Sequence, residues 1–526
     1  MPLEFTAIAT IVFAFLIFHA CWTLFFSPLA RIPGPKLFAL TVLRLAKEDF
    51  YGTRTRIIHR LHQEYGPAVR VGPNEVSFNS LAALRLIYGA GSPFGRPPAF
   101  YRIFDVYGRS HLFTFYSSVE HAARKKLMSQ MYSKSNVLKS PVADSIQEKA
   151  KDFIKLVESD PQTASDLVKS LHFFSLDNIT WNTFGERGGT ATLAGHVADR
   201  QILSDIDEPT ARRHSWFQIH LPRYTRLVMS GGPYLTSILD VIGLLPGKRP
   251  VAYSGLQDYA LATFDTLRGD KTSVPRCDGG LMMRLLDEQG SSSGKTPISD
   301  MDIAAECADH LDAGLKTTSD TLMFALWALS LPEHRSYQER LREEVKGMEP
   351  VLNGNGSTLP ADVCDRLPFL DAVIKETLRL YAPIPASQPR TSTRDAIIDG
   401  FHIPARTTVS CQAFSLHRNP EVFPDPNTFK PDRWLASDME TAEMKRWWWP
   451  FSSGARMCLG MHLALAEMKT LMAAIYQEYT TKMDREFEKS SPTATSRFEL
   501  VYDDHFPIRE VRSATVTLKT ESTTHL

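Results

Sequence analysis

Between Phe5 and Phe26, 22 residues pass without an Asp, Glu, Lys or Arg, and most of them are Ile, Val, Leu, Phe or Ala. A helix of about 20 apolar residues is long enough to cross a bilayer, so this run predicts a membrane span. Glu4 precedes it and Arg31 and Lys36 follow, a bias that leaves the rest of the chain in the cytosol. A cleaved signal peptide is the competing reading, and the missing basic n-region counts against it. Ile32-Pro33-Gly34-Pro35 then ends the helix as a stiff hinge. The expected organisation is an anchor over 1–27, a hinge at 31–36 within one large body over 28–526, and a polar tail at 520–526. Sequons at Asn178 and Asn355 would face the cytosol and stay unmodified.

A chain of 526 residues suggests two or three domains by length alone, although one large fold is admissible. Lys plus Arg and Asp plus Glu both number 59, and this balance argues against a nucleic-acid binder. The six cysteines show no paired spacing, as suits a reducing compartment. Helical periodicity predicts helices at roughly 144–157, 162–184, 300–330, 333–348, 362–381 and 458–478. Strand-like runs lie at Ala68–Val71, Glu75–Phe78, Ala396–Ile398 and Thr408–Cys411, and Asp287–Gly294 reads as a flexible loop. The fold class is therefore mainly α with small β-sheets.

Residues 451–460 read Phe-Ser-Ser-Gly-Ala-Arg-Met-Cys-Leu-Gly. Cys458 has two alternatives to a functional role: a buried structural thiol, or half of a zinc site with His462. No second Cys or His pair lies near enough to complete the zinc site. Phe451, Gly454, Arg456, Cys458 and Gly460 fill every fixed position of F-x-x-G-x-R-x-C-x-G, and the stretch resembles the heme-binding loop of the cytochrome P450 family. The resemblance spans about Pro33 to Lys519 and implies a P450 fold holding heme b with Cys458 as the axial thiolate on iron. It further implies that Gly454 and Gly460 bring backbone N–H groups to the sulfur, that Phe451 shields it, and that Arg456 binds a propionate.

Glu376 and Arg379 share a helix face at Glu-x-x-Arg spacing, which Glu339 and Arg342 repeat. The resemblance favours the first pair and adds Arg433 of Lys430-Pro431-Asp432-Arg433-Trp434 to complete a buried network. Glu339 reads as an ordinary solvated pair. By the same resemblance Arg390 is a second propionate partner. His121 and Lys125 sit where the family carries Trp or His and then Arg, with Arg124 as the alternative cation.

Ala313-Gly314-Leu315-Lys316-Thr317-Thr318 aligns with the family's A-G-x-[DE]-T-[ST] on the oxygen-activating helix. The small Ala313 and Gly314 are expected to open a groove for dioxygen, with the hydroxyls of Thr317 and Thr318 passing protons. Back-bonding of Thr317 to its own helix is the bland alternative. Lys316 departs from the expected acid. Asp312 and Asp320 flank it at four-residue spacing, so an ion pair on the outer helix face is the simplest account, and retuned proton delivery the sharper one.

Substrate contacts are placed by resemblance at Phe100–Phe115 (Phe113 among them), Asp309, His310, Ile384–Ala386 and residues near Asp504–Phe506. The resemblance is to membrane-bound members from filamentous fungi. It implies a monooxygenase of the endoplasmic reticulum that hydroxylates, epoxidises or further oxidises a terpenoid, polyketide or alkaloid. Electrons would come from NADPH through a separate NADPH–cytochrome P450 reductase, with cytochrome b5 as an optional second donor. Two alternatives are a heme-thiolate rearrangement or dehydration enzyme and a non-catalytic, membrane-tethered heme-binding protein.

Overall fold

The structure is a computed structural model that describes residues 2–159, 167–204, 216–230, 233–242, 254–269, 280–290, 298–348 and 358–482, with short strands at 494–496, 500–502 and 519–520. Helix α1 (Pro2–Cys21) carries the apolar run, which continues to Phe26 with a mean hydropathy of 2.2. Only 6% of it is buried, and among the described residues it is the one helix long and apolar enough to cross a membrane. Its base is tied to the body. Arg70 Nη1 donates to the Thr23 carbonyl at 2.9 Å, and the Arg70 amide donates to Pro33 O at 2.8 Å. A Cβ on Gly34 would lie 2.6 Å from Arg70 O, so the Pro-Gly-Pro hinge is docked on a strand.

That strand belongs to a four-stranded sheet of order β1-β2-β6-β3, made of β1 (Ala68–Gly72), β2 (Glu75–Phe78), β3 (Arg390–Thr391) and β6 (Thr408–Ser410). β1 and β2 form a hairpin, β6 runs parallel to β2 with Val76 opposite Val409, and β3 is antiparallel to β6. β4 (Ala396–Ile398) and β5 (Phe401–Ile403) pair as a separate hairpin. All four strand-like runs read from the sequence coincide with these strands, except that Cys411 falls just past the end of β6.

The helical body encloses the site. Its elements used below are α2 (Ser118–Met128), α3 (Leu167–Phe184), α4 (Asp300–Ser330), α5 (Pro368–Leu380) and α6 (Met461–Glu478). α4 opens on a capping box in which Ser299 and Asp302 satisfy each other's backbone donors. Its C-terminal half is buried on all sides, and Phe324, Leu326 and Leu329 join Phe174 of α3 and Ile475 of α6 in one apolar core. Asn178 is 3% exposed on α3 and donates to Phe174 O, so burial closes that sequon; Asn355 lies outside the described residues.

Three sequence expectations are corrected. The helix expected over 362–381 is two, Ala361–Cys364 and α5. Pro368 forces Leu367 into an extended conformation and then serves as the first residue of α5, whose free amides at Phe369 and Leu370 are taken by the Glu344 carboxylate. The last helix begins at Met461, three residues later than expected, because Cys458–Gly460 turn toward the cavity described below. Asp287–Gly290 of the expected loop ends a helix, Leu281–Gly290, and 291–297 lie outside the described residues.

Candidate active site

Cys458 lies just ahead of α6, where the free amides of a helix start favour negative charge. Burial raises its thiol pKa, while the N–H groups of Gly460 and Met461 and the Lys125 ammonium pull it down. The loop is pinned from several sides. Cys458 N donates to Phe451 O at 2.9 Å, and Gly454, at φ +66°, approaches Tyr88 O so closely that a Cβ would lie 2.3 Å from it. Phe451 packs edge-on against Trp448. Gly460 offers its amide to the sulfur, and a Cβ there would meet nothing within 4 Å, so its contribution is that N–H and not a close approach.

The sulfur opens into a cavity of about 1330 Å³, larger than the ~300–1,000 Å³ that suits one small molecule. Its walls include Arg96, His121 and Arg456, and three buried or half-buried arginines converge here. Burial, with Arg390 and Arg456 among the added charges, lowers the Arg96 guanidinium to about 9. Burial and Arg390 bring Arg456 to about 10, and burial together with Arg456 and Arg96 holds His121 neutral at about 3. Arg96 Nε is buried without a partner. Like charges collected in a low-dielectric wall call for an anion between them. A cavity-facing sulfur flanked by amide donors, a cationic wall and room for two occupants fit a heme with its propionates.

The structure distributes the expected propionate partners differently. Arg456 lines the cavity while its Nη1 and Nη2 donate to Phe115 O and Tyr116 O. Arg390 sits a layer behind, over the Tyr88 ring and bonded to Tyr101 Oη at 3.0 Å. Lys125 donates to Ala455 O and Met457 O, clamping the loop itself. Arg124 is drawn away to Glu306 at 2.6 Å, because that fully buried carboxylate needs a cation. Arg96 escaped the sequence reading; an arginine directly ahead of Pro97-Pro98 in the otherwise apolar, aromatic stretch Phe94–Tyr101 was the available signal.

On α4, Ala313, Gly314, Thr317 and Thr318 all line the cavity. Thr317 Oγ1 donates to Ala313 O at 2.7 Å, the back-bond weighed above as the bland alternative, so its proton is committed while its oxygen stays at the cavity wall. Ala313 leaves open space. Gly314 acts in packing instead. A Cβ there would lie 2.6 Å from Ile179 Cγ1, so its absence lets α4 and α3 approach closely. Thr318 is hydrogen-bonded to Glu467 of α6, a fully buried carboxyl that burial pushes up to about 8. Lys316 lies on the cavity side, not the outer face, because it falls on the helix stripe that carries Asp309 and Asp312.

Asp309 and His310 border the cavity but are engaged with protein. Asp309 Oδ2 lies 3.0 Å from His111 Nδ1. Burial opposes that charge, yet the Asp309 carboxylate holds His111 up to about 9, and His111 in turn keeps Asp309 low against burial. His310 Nδ1 meets Tyr132 Oη at 2.6 Å. Phe113 packs between Tyr101 and Phe104 with Arg96 over its ring, and Ile384 lies in the same wall. Asp504–Phe506 lie outside the described residues.

Behind the site, Glu376 accepts five hydrogen bonds. They come from Arg379 Nε and Nη2, Arg433 Nε, Trp434 Nε1 and Lys430 N, all at 2.8–3.0 Å. His417 bridges this network to the loop, its Nδ1–H reaching Arg379 O and its Nε2 accepting from Trp449 N. Glu339 pairs instead with exposed Arg335.

The sequence pattern of the cytochrome P450 family matches residues 266–502. The chain is 32% identical over 463 residues to the cytochrome P450 monooxygenase stcB of Emericella nidulans, which covers 86% of this chain and 82% of that protein. It is 28% identical to hkm5 of Aspergillus hancockii over 92% of this chain and 89% of that one. It is 27% identical to aflV of Aspergillus parasiticus over 86% and 85%, and both of these are likewise described as cytochrome P450 monooxygenases.

Proposed function

The chain belongs to the cytochrome P450 family and is a monooxygenase of that kind; from that premise we propose that it oxidises a hydrophobic secondary metabolite at the cytosolic face of the endoplasmic reticulum. Residues 1–27 form the anchor and 28–526 the catalytic body. Hydroxylation, epoxidation or further oxidation would draw two electrons from NADPH through a separate reductase, with cytochrome b5 as an optional donor. Three fungal relatives described as monooxygenases support the reaction class, and the apolar helix supports the membrane setting.

One observation carries the reading: the Cys458 sulfur, its amide donors in place, opens into the cavity that Ala313 and Thr317 line. Bound there, heme supplies iron for dioxygen activation, with thiolate electron density favouring O–O cleavage. Cys458 holds the group through its sulfur, and Arg96, Arg456 and Arg390 supply positive charge for the propionates. Lys125 keeps the loop closed by taking its carbonyls. Ala313 leaves space, Thr317 presents its hydroxyl oxygen to it, and Thr318 with protonated Glu467 stores a proton next to it. Glu467 thus replaces the acid that Lys316 displaces from α4.

The test is the reduced, carbon-monoxide-bound spectrum of the purified holoprotein. The wild type is expected to give the thiolate spectrum and Cys458→Ser to lose it. A heme-loaded wild type without that spectrum overturns the reading.

A further inference from the structure

Lys125 and Arg456 lace α2 and the loop that carries Cys458 together from opposite sides. Lys125 Nζ donates to Ala455 O at 2.8 Å and to Met457 O at 3.1 Å, the carbonyls on either side of Arg456. Arg456 reaches back to Phe115 O and Tyr116 O, just ahead of α2. The Met457 carbonyl belongs to the peptide whose N–H is that of Cys458, and this amide donates to Phe451 O at 2.9 Å. The ammonium is thus fixed one peptide unit from the residue that supplies the sulfur.

Its charge has no acid to answer it. Half-buried Lys125 bonds to two carbonyls and, among the described residues, has no carboxylate within ion-pair distance. Elsewhere in the helical body enclosed cations do: Arg124 has Glu306, Arg379 and Arg433 share Glu376, and Lys469 lies between Asp365 and Asp371. A cation drawn partly out of water without an anion is costly. The propionates are not that anion, because Lys125, unlike Arg96 and Arg456, is absent from the cavity wall. What remains is the sulfur. Burial lowers the pKa of the ammonium, and Cys458 is the group that holds it up.

We propose that the Lys125 ammonium is the counter-charge of the Cys458 thiolate, a positioning residue that raises the reduction potential of the bound iron. The assignment rests on the heme-thiolate reading above and adds how the electronics of that site are set. The resemblance placed a propionate partner at this position; the structure moves its charge to the loop of the sulfur itself. A compact ammonium can take two carbonyls of one loop, a role for which the planar fork of arginine is less suited. When the reductase gives up one electron and ferric iron becomes ferrous, one negative charge is added beside the sulfur. A fixed cation there stabilises the reduced state, and hydrogen bonds and charge around a ligand are the levers by which a protein tunes its metal. The same cation draws electron density from the sulfur, so easier reduction comes with weaker donation to iron.

The test is the ferric–ferrous midpoint potential of the substrate-free, full-length holoenzyme, titrated with dithionite in the presence of mediator dyes. Lys125→Gln removes the charge, and Lys125→Glu, of the same shape as the glutamine variant, reverses it. The potential is expected to fall by about 59 mV in Lys125→Gln, tenfold in the equilibrium constant for one electron, and by a further step of similar size in Lys125→Glu. Loss of the clamp alone would move both variants equally, so the step between them reports charge. Should Lys125→Glu fail to fold, Lys125→Arg takes its place and is expected to keep the wild-type potential. An unchanged or raised potential in Lys125→Gln, one common value for the glutamine and glutamate variants, or a fall in Lys125→Arg equal to that in Lys125→Gln overturns the assignment. A heme-loaded wild type without the thiolate spectrum would instead mark failure of the heme-thiolate reading, whereas a sound thiolate spectrum with flat potentials removes only the role of Lys125.

Discussion

Glu467 is fully buried, bonded to Thr318 through one side of its carboxyl and unpartnered at Oε1. Burial raises its pKa to about 8 from an unfolded value near 4.5. The native state then binds more protons than the unfolded chain between those values, so this group's contribution to stability falls as pH rises through the window. The slope is up to about 1.4 kcal/mol per pH unit. Glu467→Gln should remove that slope, and denaturation midpoints at about pH 5, 6.5 and 8 would check it; parallel wild-type and variant curves would sink the assignment. Lys316 gives a second test. If protons reach the cavity through Thr317, Thr318 and Glu467, Lys316→Asp leaves the ratio of product formed to NADPH consumed unchanged, once a substrate is in hand, whereas Glu467→Gln lowers it. The sequence made Cys458, Arg456 and Thr317 legible because their roles are carried by short spacing. Glu467 and Arg96 were not legible, since a charge that belongs to no short motif acquires meaning only when its surroundings are assembled.

At the scale of elements, two packing decisions hold the site. α4 meets α3 at Gly314, where even one methyl group would collide with Ile179. Gly314→Ala should therefore cost about 1–3 kcal/mol by overpacking, and Ile179→Val, which trims that neighbour, should recover part of it in chemical denaturation. Unchanged stability in Gly314→Ala would show that α3 yields freely. α5 is fastened through Glu376, whose five donors leave its charge fully paired. Glu376→Gln leaves Arg379 and Arg433 facing each other without their anion, at an expected loss of about 3–5 kcal/mol. Because His417 ties Arg379 O to the Trp449 amide, heme retention should fall together with stability. Helix periods and the Glu-x-x-Arg spacing were readable from sequence. The break at Pro368 was readable in principle, but the compensation by Glu344, 25 residues upstream of Phe369, was not.

For the whole molecule, the apolar helix and the body meet at a small, defined joint, the Thr23 carbonyl on Arg70 and Gly34 against the first strand. Removing residues 2–22 should abolish carbonate-resistant membrane association while preserving the thiolate spectrum, since that joint is retained; loss of the spectrum would mean that the helix supports the fold as well. Sequence alone determined what local chemistry dictates: a span of sufficient length, helical and strand periods, a thiolate loop with its glycine and arginine offsets, and a Glu-x-x-Arg pair on one helix face. Tertiary structure decided which buried charges became partners. Arg124 went to Glu306, 182 residues away, Asp309 to His111, and Arg96 joined Arg456 in the cavity wall with Arg390 behind them. The physical reason is desolvation. A charge removed from water takes the partner that the fold brings within about 3 Å, and distance along the chain has no bearing on that choice.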